Sequence, residues 1–213
     1  MPTALWDGLV DDVVTLTNRP GLVNETILGL KQGTMRAHLL DKFPRDLVIT
    51  DYVDPSGESV NELAIPTTST FTRFRDVSAV QLLDVDSEPL SAPVVELCEI
   101  DGIYEPSYPG VKKPWVAWLA GTSLNVYSVS GMYGARTNWW QSPNLDPDTY
   151  NSWIAESFPD VIVWYAARLV WNRSGNDAKM KEANIMLGDI PPINFSSGLY
   201  HDLRVNFLST AGR

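Results

Sequence analysis

The chain has little cysteine, little histidine and a shortage of cations. One cysteine occurs among 213 residues, Cys98, and it cannot make an internal bridge, so an oxidised, disulfide-framed scaffold is not expected. His38 and His201 are the only histidines, too few for a histidine-rich metal site. No long apolar run occurs, and the N-terminus carries no charged-then-apolar signal segment. A soluble protein made in a cytoplasm is therefore expected. Lys and Arg number 16 against 26 Asp and Glu, a formal charge of −10. A nucleic-acid grip needs basic patches that release counterions, so that class is disfavoured. An acidic wall repels DNA and lets it slide, so DNA passing nearby remains compatible. Catalytic signatures are missing as well. No GxSxG or GxxxxGK[ST] occurs, and Gly131-Met132-Tyr133-Gly134 lacks the helix context of a phosphate loop. The chain is not read as an enzyme, and no catalytic residue, metal or cofactor is expected.

What is present is ample apolar material. A chain of this size buries roughly 70% of the surface its unfolded form exposes, so it needs no staple. Eight tryptophans are many for 213 residues. They fit a Trp-rich core or an interface-rich surface equally. Cys98 falls in a predicted strand without basic neighbours and reads as core. His38 reads as a structural or interface side chain. Asp84, Asp86 and Glu88 alternate, as do Asn144, Asp146 and Asp148. Such spacing suits turns and caps, or a hard cation, but neither series has the Gly and Glu of a calcium loop.

The stretch from Thr15 to Leu47 organises the rest. Residues 2–17 predict a helix, with Leu5, Leu9, Val13 and Leu16 at helical spacing and Asp7, Asp11 and Asp12 around them. Arg19-Pro20-Gly21 predicts the turn, with Gly21 able to take a positive φ. Asn24 is the expected N-cap of a second helix over 24–41. Its Leu28, Met35 and Leu39 form one stripe. Gly29, Gly33 and Ala37 form another, of small residues, which implies that a second backbone comes close. That backbone belongs to the same chain or to a neighbouring copy, so the three are candidates for a subunit contact.

From Arg45 the pattern turns β-branched. Strands are predicted over 46–53, 63–65, 70–75 continuing through 77–85, and 94–103, followed by a proline-broken loop over 105–114. A hairpin is expected over 115–128 around Ala120-Gly121-Thr122, and a last strand over 135–141. Helices return over 148–156, from Pro159 to about Gly175, and from the capping Asn176 to Gly188. The middle helix is apolar almost all round and should be the buried centre. Beyond Pro191-Pro192 the tail carries Phe195, Leu199, Tyr200, Leu203, Val205, Phe207 and Leu208 without clean periodicity. Such a tail packs on its own domain or is captured by a partner. The fold class expected is α+β: a bundle of about four helices with an inserted small antiparallel β-domain and an extended C-terminal tail. The boundaries are 1–44 for the N-terminal helical hairpin, 45–142 for the β-rich insert, 143–190 for the completing helices and 191–213 for the tail.

Three stretches and their order carry a resemblance. They are TLTNRPGLVNETILGLKQGTMRAHLLDKFPRDL (residues 15–47), LAGTSLNVYS (119–128) and WIAESFPDVIVWYAARLVWNRSGN (153–176). With the succession of helices, β-insert, helices and tail, the chain resembles the head-to-tail adaptor (connector) proteins of short-tailed phages. The match runs to about Gly188, and beyond it the tail agrees only in kind. The resemblance implies a virion protein of the neck or tail, assembled in the host cytoplasm. It would form a ring of copies, twelve in the family, under the portal protein. The ring would contact tail nozzle or tail fibre proteins and continue the DNA channel without binding DNA specifically. It implies that the tail, through Phe195, Leu199, Tyr200, Leu203, Val205, Phe207 and Leu208, docks on the portal. Two alternatives stand beside it. One is a neck, stopper or tail-completion protein lower in the same channel. The other is a carbohydrate-binding module using Trp115, Trp118, Trp139 and Trp140.

Overall fold

A helix that is apolar on nearly every side has to be surrounded, and α5 (Pro159–Arg173, PDVIVWYAARLVWNR) is. In this computed structural model, which describes residues 1–90, 115–189 and 197–208, Val161, Ile162, Ala166, Ala167 and Val170 of α5 are buried. Pro159 opens the helix, where a missing N–H costs nothing. The chain divides into two compact units, one of Met1–Asp46 with Ser142–Arg213 and one of Leu47–Gln141. The fold is mixed α+β, with seven helices and two small antiparallel sheets among the described residues.

In the first unit, α1 (Ala4–Thr17) starts at Thr3, whose hydroxyl accepts the Trp6 N–H at 3.2 Å. Its Trp6, Leu9 and Val13 enter the core. Asn18 ends it in the left-handed region, φ 52°, and Gly21 is not needed for the corner. Asn tolerates that conformation because its short polar side chain offsets part of the steric cost. α2 (Val23–His38) starts one residue earlier than expected and ends three residues sooner. Its N-cap is Leu22 without a side-chain bond, so Asn24 lies inside the first turn instead of capping it.

The small-residue stripe of α2 is turned inward. A Cβ on Gly29 would stand 2.8 Å from the Cα of Ala166, and one on Gly33 would stand 3.2 Å from the Ile162 carbonyl oxygen. Ala37 is fully buried. Gly29, Gly33 and Ala37 therefore serve close packing within the chain, and the subunit-contact expectation for them is corrected: a neighbour cannot reach them.

After the second unit, a 3-10 turn (Pro147–Thr149) and the short α4 (Trp153–Ser157) replace the single helix expected over 148–156. Ser152 caps α4 by accepting the Ala155 N–H. α6 (Asp177–Leu187) is capped by Asn176, whose side chain accepts from Lys179 N–H, and ends at Gly188, φ 78°. α7 (Leu199–Leu208) overturns the expectation of an extended tail over these residues. Tyr200 and Leu203, three apart, enter the core from one face, which a helix allows and an extended chain does not.

In the second unit, β1 (Leu47–Val53), β6 (Gly134–Gln141) and β3 (Phe74–Leu83) form one sheet in the order β1-β6-β3. β2 (Val60–Pro66), β5 (Ser123–Met132) and β4 (Trp115–Ala120) form the other, β2-β5-β4. Both contribute to one apolar cluster: Leu63, Ile65, Leu124 and Val126 from the second sheet meet Val77, Val80, Ala135 and Trp139 from the first. The expected hairpin forms between β4 and β5, with Gly121 at φ 58° in its two-residue turn. Residues 70–73 are not a strand. The one-turn α3 (Thr67–Thr70) precedes β3, and Arg73 takes φ 58°. The predicted strand over 94–103, the loop over 105–114 and Cys98 lie outside the described residues.

Candidate functional site

A dense buried polar group in the first unit joins the end of α2 to the segment that precedes α5. His38, the last residue of α2, presents Nδ1 to the Asp46 carboxylate at 2.9 and 3.0 Å. A carboxylate only accepts, so Nδ1 carries the proton of that bond. The other ring nitrogen, Nε2, lies 3.0 Å from Ser152 Oγ. The Trp153 indole N–H also donates to Asp46, at 2.7 Å. His38 and Ser152 are 2% exposed and Asp46 6%. Around them, the His38 and Phe43 rings meet the Trp153 ring edge-on.

A second arm runs through Thr34 and Tyr150. The Thr34 hydroxyl donates to the Leu30 carbonyl at 2.8 Å. Having one hydrogen, it must accept from the Tyr150 hydroxyl, 2.6 Å away. Burial pushes the Tyr150 phenol up, while hydrogen bonds to Thr34 and Ser152 pull the other way. The whole network ties α2, the 3-10 turn Pro44–Asp46 and residues 150–153 together. The chain leaves this unit after Asp46 and re-enters it at Ser142. The network therefore fastens the exit to the return.

Asp46, His38 and Ser152 have the spacing of an orienting carboxylate, a base and a hydroxyl nucleophile. Ser152 nevertheless lies inside the core, and its oxygen already accepts the Ala155 N–H as the cap of α4. In this structure the network does structural work. Of its members only His38 stands out in the sequence. A serine just before a helical start is a legible cap signal, but its partners lie up to 114 residues away along the chain.

A second cluster seats α7. Arg168 of α5 donates to Asp189 at 2.6 Å and to Asn184 at 3.2 Å, and its guanidinium lies 4.5 Å from the Tyr165 ring centroid. Burial opposes the Arg168 charge, but the bond to Asp189 and the nearby phenols outweigh it and raise its pKa. Tyr200 is buried beside this group, and burial pushes its phenol well up. Arg204 of α7 donates to Asp41 at 3.2 Å. Gly188 and Gly198, both at positive φ, bring their backbones together at the base of the α6–α7 connection.

The residues expected to meet the portal divide accordingly. Tyr200 and Leu203 are fully buried in their own unit, and Leu199 packs against the same core. Val205 is 48% exposed. Phe207 and Leu208 end α7, and Phe195 lies outside the described residues. Of the tryptophans proposed as a sugar platform, Trp139 and Trp140 are buried and Trp118 is half-buried.

The alternating acids make turns. Asp84 Oδ1 accepts the N–H groups of Asp86 and Glu88, and Asn144 and Asp146 accept from Asp146 and Asp148 in turn. Among the described residues no group of three or more His, Cys, Asp or Glu side chains could hold a metal ion. No described helix is long and apolar enough to cross a membrane. No protein-family model matches the sequence, and no curated protein matches it significantly.

Proposed function

We propose that this chain is a structural virion protein, a head-to-tail adaptor that forms a ring joining a portal to tail nozzle or fibre proteins and continuing the DNA channel. The reading starts from the sequence resemblance. What supports it best is how the chain is apportioned. Segments from both ends make one helical unit, and residues 47–141 make a separate β-unit. In this reading α1, α2, α5 and α6 are the bundle, and the β-unit is the insert between its segments. The formal charge of −10 suits a channel that DNA crosses without sticking.

The portal contact takes a sharper form. Tyr200 and Leu203 can touch a portal only if α7 leaves its seat, whereas Val205 is available as it stands. The carbohydrate reading loses ground, since two of its four indoles are buried. A stopper or completion protein lower in the channel remains the second reading, favoured by the same apportionment. Electron microscopy of particles carrying this chain separates the two. Density for a ring of this chain directly against the portal is the expected result. A ring separated from the portal by another protein selects the stopper, and absence from the particle removes both.

A further inference from the structure

Two outward helix faces of the first unit carry opposite charge. On α1, Asp7, Gly8, Asp11, Asp12 and Thr15 share one face at helical spacing and are exposed, and the helix holds no basic residue. Among the described residues these three carboxylates have no ion-pair partner. On α2 and its C-cap, the face opposite the glycine stripe carries Leu28, Gln32, Met35 and the cap Leu39, with Leu28 53% and Leu39 57% exposed. Lys31 flanks this stripe on one side and Arg36 on the other. Neither has a carboxylate within ion-pair distance among the described residues. Glu25, on the same helix, is directed to Arg173 at 3.8 Å.

The two faces complement each other in shape and sign. Gly8 and Thr15 lie between Asp11 and Asp12 around α1, and nothing stands within 4 Å of where a Gly8 Cβ would be. That gives a shallow floor with acidic edges, matching an apolar ridge with basic edges. We propose that the α1 face of one copy docks on the α2 face of the next, so that copies join head to tail. A contact between two different patches propagates, and it closes into a ring when the rotation permits. This inference rests on the ring reading above and names its subunit contact.

Charge reversal of the full-length chain tests it, read by native mass spectrometry and sedimentation at low salt, with circular dichroism and melting curves to establish that each variant folds. The unmodified chain should assemble beyond a dimer. Asp11→Lys with Asp12→Lys should raise the assembly midpoint concentration about tenfold or more, and so should Lys31→Glu with Arg36→Glu. An equimolar mixture of these two variants should assemble again, because each then meets its complement. A folded variant that assembles like the unmodified chain overturns the contact and leaves the ring reading intact. So does a mixture that fails to recover. An unmodified chain that stays monomeric or stops at a dimer also overturns the contact, and the ring reading is then decided by the microscopy of the particle.

Discussion

His38 and Asp46, eight residues apart, meet through Nδ1 and the carboxylate at 2.9 Å inside the core, and the same carboxylate takes the Trp153 indole N–H at 2.7 Å. Removing the carboxylate takes the acceptor from the buried His38 Nδ1–H and from the part-buried Trp153 indole N–H at once. Asp46→Ala should cost about 2–4 kcal/mol in urea unfolding. Ser152→Ala, which removes the α4 cap and the hydrogen bonds to His38 and Tyr150, should cost about 1–2 kcal/mol. If the two cost the same, the carboxylate is not the centre of the network.

The glycines of α1 and α2 should respond in opposite directions. Gly29→Ala places a methyl 2.8 Å from the Ala166 backbone, and neither helix can yield without opening the core. It should destabilise by about 2 kcal/mol or more. Gly8→Ala meets nothing within 4 Å and should stabilise by about 0.5–1 kcal/mol through helix propensity. Thermal melts of the two variants beside the unmodified chain check both signs.

The seat of α7 depends on a close backbone approach. A Cβ on Gly188 would fall 2.0 Å from the Ser197 carbonyl oxygen, and Gly188 sits at φ 78°. Gly188→Val should therefore dislodge α7 while the rest of the unit stays folded. Hydrogen exchange should quicken in residues 199–208 and stay slow in α5. Tyr200→Ala should cost about 3–4 kcal/mol if its ring is core. A small cost for Tyr200→Ala would mean that α7 is only loosely held.

In the β-unit, Arg136 grips Asp51 across β6 and β1 with two bonds of 2.7 Å. The Arg136 hydrogen bond is the main reason the Asp51 carboxyl lies below its ordinary value. A lowered folded pKa means that the unfolded chain binds the proton more readily. The pair's contribution is therefore complete above the ordinary Asp value of about 4, and it fades as pH falls through the lower folded value. Asp51→Asn should lower stability at pH 7, and the difference should shrink as pH falls below the ordinary Asp value. Because the pair is part-exposed, added salt should shrink the effect.

How much was legible follows from what each residue needs. The all-round apolar run of α5, the Asn176 cap, the Gly188 stop and the β4–β5 hairpin around Gly121 were legible, because each is decided by neighbours in sequence. The α+β class followed from the same local alternation between helical and strand periods. The sequence also left two meanings for the Gly29, Gly33, Ala37 stripe, since small residues at helical spacing say only that a backbone comes close. Tertiary structure decided whose backbone it is: α5 of the same chain, at distances that exclude a neighbour. It decided that Tyr200 and Leu203 are core, because α5 and α6 offer the apolar surface that makes residues 199–208 worth folding as a helix. And it brought Asp46, Ser152 and Trp153 to His38, a meeting that no local pattern encodes because its members are fixed by the packing of separate segments.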